Sequence, residues 1–221
     1  MTGFGSCRRG SRRSLRHSPI GQSSPHFAPP SRFVKRIDTA VTIERDDEPT
    51  WVAPTHRAFL DAGITVIGHV PDGGLSCLIE RLETDERLTT VRLTTEEEGI
   101  AMCAGVWLGG GRTALLMQSS GVGNCTNMLG LLKTCEVPAV FLVTMRGQVG
   151  ESNPWQVPMG EATAPTFELM GVDVISIGSA AEVAPAVAAA CEATFEQGRA
   201  AHAVLIEQSV IGIKVFPGDG G

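Results

Sequence analysis

Three short segments hold residue types that do chemistry. The first is Thr94-Thr95-Glu96-Glu97-Glu98-Gly99. Acids here can cap a helix or handle protons. Thr95 followed three residues later by Glu98 is a capping box, and acids in a first turn suit the positive helix end. Periodicity separates the three carboxylates. Ile100, Cys103 and Trp107 share one helical face, and Glu96 lies one turn earlier on the same stripe. Glu98 projects elsewhere and is the natural cap. Glu96 is therefore the acid expected to be drawn inward, where a carboxylate needs a partner. A cofactor nitrogen could be that partner.

The second segment is Gln118-Ser119-Ser120-Gly121-Val122-Gly123-Asn124. Glycine lets backbone approach a ligand closely, and a helix start favours an anion. Neither nucleotide-binding glycine fingerprint fits it. Ser119 or Ser120 could be a hydrolase nucleophile, but the G-x-S-x-G elbow is missing. The third segment is Arg146-Gly147-Gln148-Val149-Gly150-Glu151-Ser152-Asn153-Pro154. Arg146 could grip a carboxylate or sulfonate through two nitrogens, or form a structural ion pair. His69 and Asp72 flank Val70-Pro71. The histidine could shuttle protons, or be a hydrogen-bonded structural residue.

These segments need elements to carry them. Helices are expected over 52–62, 75–83, 96–108, 124–134, 165–170 and 181–197. Strands are expected over 65–70, 88–93, 113–118, 138–145, 172–177 and 203–207. A Gly-rich turn is expected at 119–123 and an irregular stretch at 146–164. Strands separated by helices imply a three-layer, doubly wound, mostly parallel α/β sheet. Apolar runs such as Ala139–Val143 fit strands buried on both faces. Ligands in such folds bind beyond the carboxyl ends of strands. All the chemical segments directly follow expected strands, so they should gather on one edge.

Composition sets the frame. With 221 residues, 43 % hydrophobic and 19 % charged, one globular domain is expected. No apolar run approaches the ~18 residues of a membrane span. The six cysteines include no C-x-x-C pair. They suggest neither a disulfide framework nor a zinc site, and point to reducing cytoplasm. Residues 1–36 carry eight Arg or Lys and no acid, in a chain of net charge −6. We expect residues 1–40 to be a disordered basic arm, 41–213 the folded domain and 214–221 a flexible tail. The acidic folded part argues against nucleic acid as the main partner.

Taken together, four matches resemble the pyrimidine-binding domain of thiamine diphosphate (ThDP) decarboxylases, in particular the sulfopyruvate and phosphonopyruvate decarboxylases. They are Val70-Pro71-Asp72, Glu96 with Ala104-Gly105, Met117 through Asn124, and Arg146-Gly147 through Met159-Gly160. In that family a glutamate lies nine residues before the Gly of the Ala-Gly pair. Counting back from Gly105 gives Glu96, with Glu97 the second choice. The resemblance implies that this glutamate hydrogen-bonds the cofactor's aminopyrimidine and activates it. It places Gln118, Ser120, Gly121 and Asn124 at the cofactor, and Asp72, His69 and Arg146 toward the substrate. It also implies a diphosphate-binding domain with a Gly-Asp-Gly motif, followed by Asn-Asn, that holds Mg²⁺. Here Gly218-Asp219-Gly220 meets the last residue, so the expectation is a separate β subunit carrying Mg²⁺ and diphosphate. A carboligase subunit like those that form acetolactate, and a non-catalytic nucleotide- or partner-binding module, are the rival readings.

Overall fold

Helices and strands alternate in chain order: α1 (Val52–Asp61), β1 (Val66–His69), α2 (Ser76–Glu83), β2 (Thr89–Arg92), α3 (Glu96–Leu108), β3 (Thr113–Gln118), α4 (Ser119–Cys135), β4 (Ala139–Thr144), α5 (Val157–Leu169), β5 (Asp173–Ile177), α6 (Ala180–Phe195), β6 (Ala201–Ile206) and α7 (Gln208–Ile211). The computed structural model describes residues 48–198 and 201–212, all within the unit Glu44–Gly221. The arm expected at 1–40, the tail at 214–221 and the Gly218-Asp219-Gly220 motif lie outside the described residues. Among the described residues, no helix is long and apolar enough to cross a membrane.

The six strands form one sheet in the order β2-β1-β3-β4-β6-β5, and every pairing is parallel. Strand chemistry explains the order. β4 and β6 are buried at every position and β3 at all but its last, as interior parallel strands must be. β2 and β5 take the edges and are mostly half-buried or exposed. Side chains alternate between two cores. Leu116, Leu142 and Val204 pack with Phe59 of α1, Leu78 of α2 and Val187 of α6. Leu115, Phe141 and Leu205 pack with Ile100 of α3, Leu129 of α4 and Phe167 of α5. The chain therefore buries a core on each face of one sheet, which makes three layers.

Connections from β1 lead outward to β2, then back across to β3. The order reverses between β1 and β3, and a crevice opens there beyond the strand ends. Asp72 and Gln118 lie at the ends of these two strands.

Two expectations are corrected. The turn expected at 119–123 is helix: α4 starts at Ser119, directly after β3. Glycine lowers helix propensity, and two glycines read as a loop. Gly121 is present for space instead: a Cβ there would collide with Cγ, Cδ and Oε1 of Glu96. The irregular stretch expected at 146–164 ends early. A 3₁₀ turn covers Pro154–Gln156, and α5 runs from Val157 through Pro165 to Leu169. Pro158 sits at the helix start, where its missing N–H costs little. Pro165 inside the helix costs about 3 kcal/mol. Complete burial of Phe167 against Phe141, ring centroids 5.3 Å apart, offsets it by a similar amount. The short helix α7 was not expected at all.

Candidate active site

Glu96 is the first residue of α3, placed just beyond β2. It is only 9 % exposed, while Glu97 and Glu98 are exposed. Glu98 caps the helix, accepting from the Thr94 backbone N–H at 2.9 Å. Thr95, the N-cap, makes no side-chain cap, and Glu98 bonds the residue before it, so the expected capping box is replaced by this single contact. The stripe behind Glu96 is buried at Ile100 and Cys103 but reaches the surface at Trp107, 41 % exposed.

The Glu96 carboxylate fills the space that Gly121 leaves free. Its Oε2 accepts from Asn124 Nδ2 at 2.8 Å. A carboxylate only accepts hydrogen bonds, so this contact fixes the Asn124 amide with its oxygen turned away. Cys125, beside this pair, has its thiol pushed up to about 12, first by burial and then by the charge of Glu96. That thiol is a packing group and not a nucleophile. Glu96, Ser120, Gly121 and Asn124 line a cavity of about 370 Å³, closed on its far side by Trp155, Gln156 and Met159. Trp155 is 75 % exposed, so one aromatic wall stands open toward any partner surface. The wall residues sit at the 3₁₀ turn and the start of α5, where no ligand contact was expected. The only sequence signal for them was the long Arg146–Gly160 match.

A second network joins this cavity from below. Asp72 Oδ1 accepts from Gln118 Nε2 at 2.9 Å, and its Oδ2 accepts from Thr144 Oγ1 at 2.8 Å and Gly74 N–H at 3.0 Å. Ser120 Oγ donates to Gln118 Oε1 at 2.9 Å. Asp72 thus reaches the cavity through Gln118 and Ser120.

Two residues expected near substrate, Arg146 and His69, are buried in contacts within the chain. Arg146 is 5 % exposed. Its Nε and Nη2 hold Glu151 at 2.6 and 2.5 Å. The carboxylate it grips is thus its own chain's. Glu151 also accepts from Gly147 N–H, Asn153 N–H and Gln208 Nε2. The Arg146 hydrogen bond, first, and the backbone N–H donors hold its carboxyl down at about 2. Gln148 and Gln208 bond each other's backbone N–H groups. Gly147 lies at φ 76°, where a side chain would be strained. His69 is 2 % exposed and turns under α2. Its Nε2 lies 3.3 Å from Glu83 Oε1, a contact too poorly aligned to be a hydrogen bond, so both ring nitrogens lack one. Burial lowers its basicity.

Two alternatives lose their footing. Ser119 is fully buried, and its Oγ accepts from Arg146 N–H at 3.0 Å, so it cannot be an exposed nucleophile. A phosphate cradle needs a glycine loop ahead of a helix, and Gln118 is followed at once by helical Ser119. A larger groove of about 1110 Å³ lies between α1 and α6. It is walled mainly by helices rather than by strand ends, where ligands of such folds bind.

Comparison with known proteins defines the class, then the family. No family model matches the chain. Its fold is similar to that of a solved structure described as a candidate thiamin diphosphate-dependent enzyme from Mycobacterium smegmatis, which superposes with TM-score 0.57 over 77 % of this chain and 34 % of that one, at 16 % identity. Sulfopyruvate decarboxylase subunit alpha of Methanococcus maripaludis is 37 % identical over 122 residues, 55 % of this chain and 73 % of that protein. The subunit alpha of Methanothermobacter thermautotrophicus is 34 % identical over 150 residues, 67 % of this chain and 90 % of that protein. Phosphonopyruvate decarboxylase of Streptomyces viridochromogenes is 34 % identical over 151 residues, but the chain spans only 38 % of its length. The chain belongs to the sulfopyruvate decarboxylase subunit alpha family.

Proposed function

We propose that this chain is the α subunit of a ThDP-dependent decarboxylase acting on a small anionic 2-oxo acid, sulfopyruvate or phosphonopyruvate. The observation that carries the reading is the Glu96 carboxylate, nearly buried, seated in the gap at Gly121 and facing a cavity. The cavity suits an aminopyrimidine. Glu96 Oε1 can share a proton with a ring nitrogen, and Asn124 Oδ1 can accept from an N–H donor. The cradle at Gly121 lets a planar group come close, and Trp155 offers an aromatic wall.

When bound, ThDP supplies a nucleophilic carbon and an electron sink for the electrons released with CO₂. This chain's own residues would do the following. Glu96 shares a proton with the ring nitrogen and so raises the acidity of the amino group. Asn124 holds that carboxylate in one rotamer. Ser120 lines the side toward substrate, with Gln118 behind it. Trp155 and Met159 shield the reacting region from water. Arg146 and Glu151 brace the loop that presents this wall. By their contacts we read Asp72, Arg146 and His69 as supports rather than substrate ligands.

The family naming "subunit alpha" supports a second subunit. We assign it the diphosphate and Mg²⁺. Five free thiols among the described cysteines support a reducing compartment, the cytoplasm. The carboligase and nucleotide-module readings have no observation that favours them. The test is CO₂ release from sulfopyruvate and from phosphonopyruvate with ThDP and Mg²⁺. The chain alone should be inactive, and the chain plus its partner subunit active. Full activity from the chain alone would refute the split site, and no activity from the pair on either acid would refute the function.

A further inference from the structure

We propose that Asp72 is a positioning residue that sets the hydrogen-bonding polarity of Ser120 toward the ligand, acting through the Gln118 amide. The inference rests on the proposed function of the cavity and adds a role for a residue outside it.

Hydrogen-bond valence decides the polarity. Asp72 is 8 % exposed and gathers donors from the ends of β3 and β4 and from the turn after β1. Its two oxygens take Gln118 Nε2, Thr144 Oγ1 and Gly74 N–H. A carboxylate can only accept, so Gln118 must turn its NH₂ toward Asp72 and its oxygen toward Ser120. Ser120 then gives its proton to Gln118 Oε1 at 2.9 Å. What Ser120 shows the cavity is a lone pair. Glu96 Oε1 and Asn124 Oδ1 show the same polarity, because Asn124 gives its NH₂ to Glu96. These three residues therefore present acceptors, which suit N–H donors on a ligand. Asp72 keeps the third of them an acceptor without touching the ligand.

The isosteric change Asp72→Asn reverses the chain. Gly74 N–H and Thr144 hold the oxygen of the introduced amide, so its NH₂ faces Gln118. Gln118 must flip, its NH₂ now meets Ser120, and Ser120 donates into the cavity. Adding Gln118→Glu to Asp72→Asn restores an acceptor beside Ser120 and so its original polarity.

ThDP affinity of the reconstituted α/β complex is measured by calorimetry for four proteins: wild type, Asp72→Asn, Ser120→Ala, and Asp72→Asn with Ser120→Ala. Asp72→Asn should weaken binding about tenfold, the worth of one ligand hydrogen bond. In the Ser120→Ala background the same change should add less than about twofold. Asp72→Asn with Gln118→Glu should return to within about threefold of wild type, and this variant decides the matter if Asp72→Asn alone does not fold. Equal losses with and without Ser120, or no rescue by Gln118→Glu, would overturn the relay while the function stands. A wild-type complex that binds no ThDP would overturn both.

Discussion

Two polar clusters stand at the carboxyl ends of the same sheet and behave in opposite ways. Around Arg146 and Glu151 every strong group is matched within the chain: two guanidinium contacts, two backbone N–H donors and Gln208 converge on one carboxylate. Around Glu96, Asn124 is the side-chain donor among the described residues, and acceptors are left facing a cavity. Both clusters hold charge under little exposure. The difference is whether the chain completes its own valence. A closed cluster is a brace, and an incomplete one has valence free for a ligand. Residue type does not distinguish them, because by type Arg146 is the better anion binder and Glu96 an ordinary helix-start acid.

The brace is the first place to break this contrast. Glu151→Gln leaves Arg146 buried and unpaired, which should cost about 3 kcal/mol in urea unfolding. The pH dependence has a definite sign. The folded-state value of Glu151 is about 2, below the usual carboxylate range. Its stabilisation is thus complete above about pH 5 and is lost as pH falls toward 2. Wild-type stability should decline through that window, and Glu151→Gln should lack this component of the decline. A flat wild-type curve there would show that the pair is not a brace.

The open cluster is sharpened by Gly121→Ala. The added methyl displaces the Glu96 carboxylate, and a misplacement near 1 Å should lower kcat/KM of the reconstituted enzyme about 100-fold. Stability should fall by about 1–3 kcal/mol through overpacking. An unchanged kcat/KM would mean that the position of Glu96 is irrelevant to turnover. A smaller effect is expected at the rim. Trp155→Ala should raise KM or the ThDP dissociation constant about threefold to tenfold and leave the unfolding midpoint within about 1 °C, because the side chain is 75 % exposed. A large loss of stability instead would make Trp155 a structural residue.

What could be read in the sequence follows the same division. All six strands and the extent of α3 were legible, because burial on one or two faces writes itself into local periodicity. Glu96 stood out among three adjacent acids for the same reason. Contacts across distance were not legible. Nothing local says that Asp72 is held by Thr144, 72 residues away, or that His69 turns under α2. Nor did the sequence show that Ser119–Gly123 is helical, since Gly121 serves the Glu96 side chain rather than the local backbone. In α5, Pro158 and Gly160 argue for loop and Pro165 for a helix start. Packing of Phe167, and of Gly160 against the Arg146 carbonyl, overrides that local preference.

Glu96 serves the cofactor, on this account, while Arg146 and Glu151 serve the fold. The most direct test is turnover of the reconstituted complex carrying Glu96→Gln, measured beside its unfolding midpoint. We predict a loss of about 10³-fold in kcat with the midpoint unchanged to within about 2 °C. Turnover within tenfold of wild type in a folded Glu96→Gln complex would contradict the account.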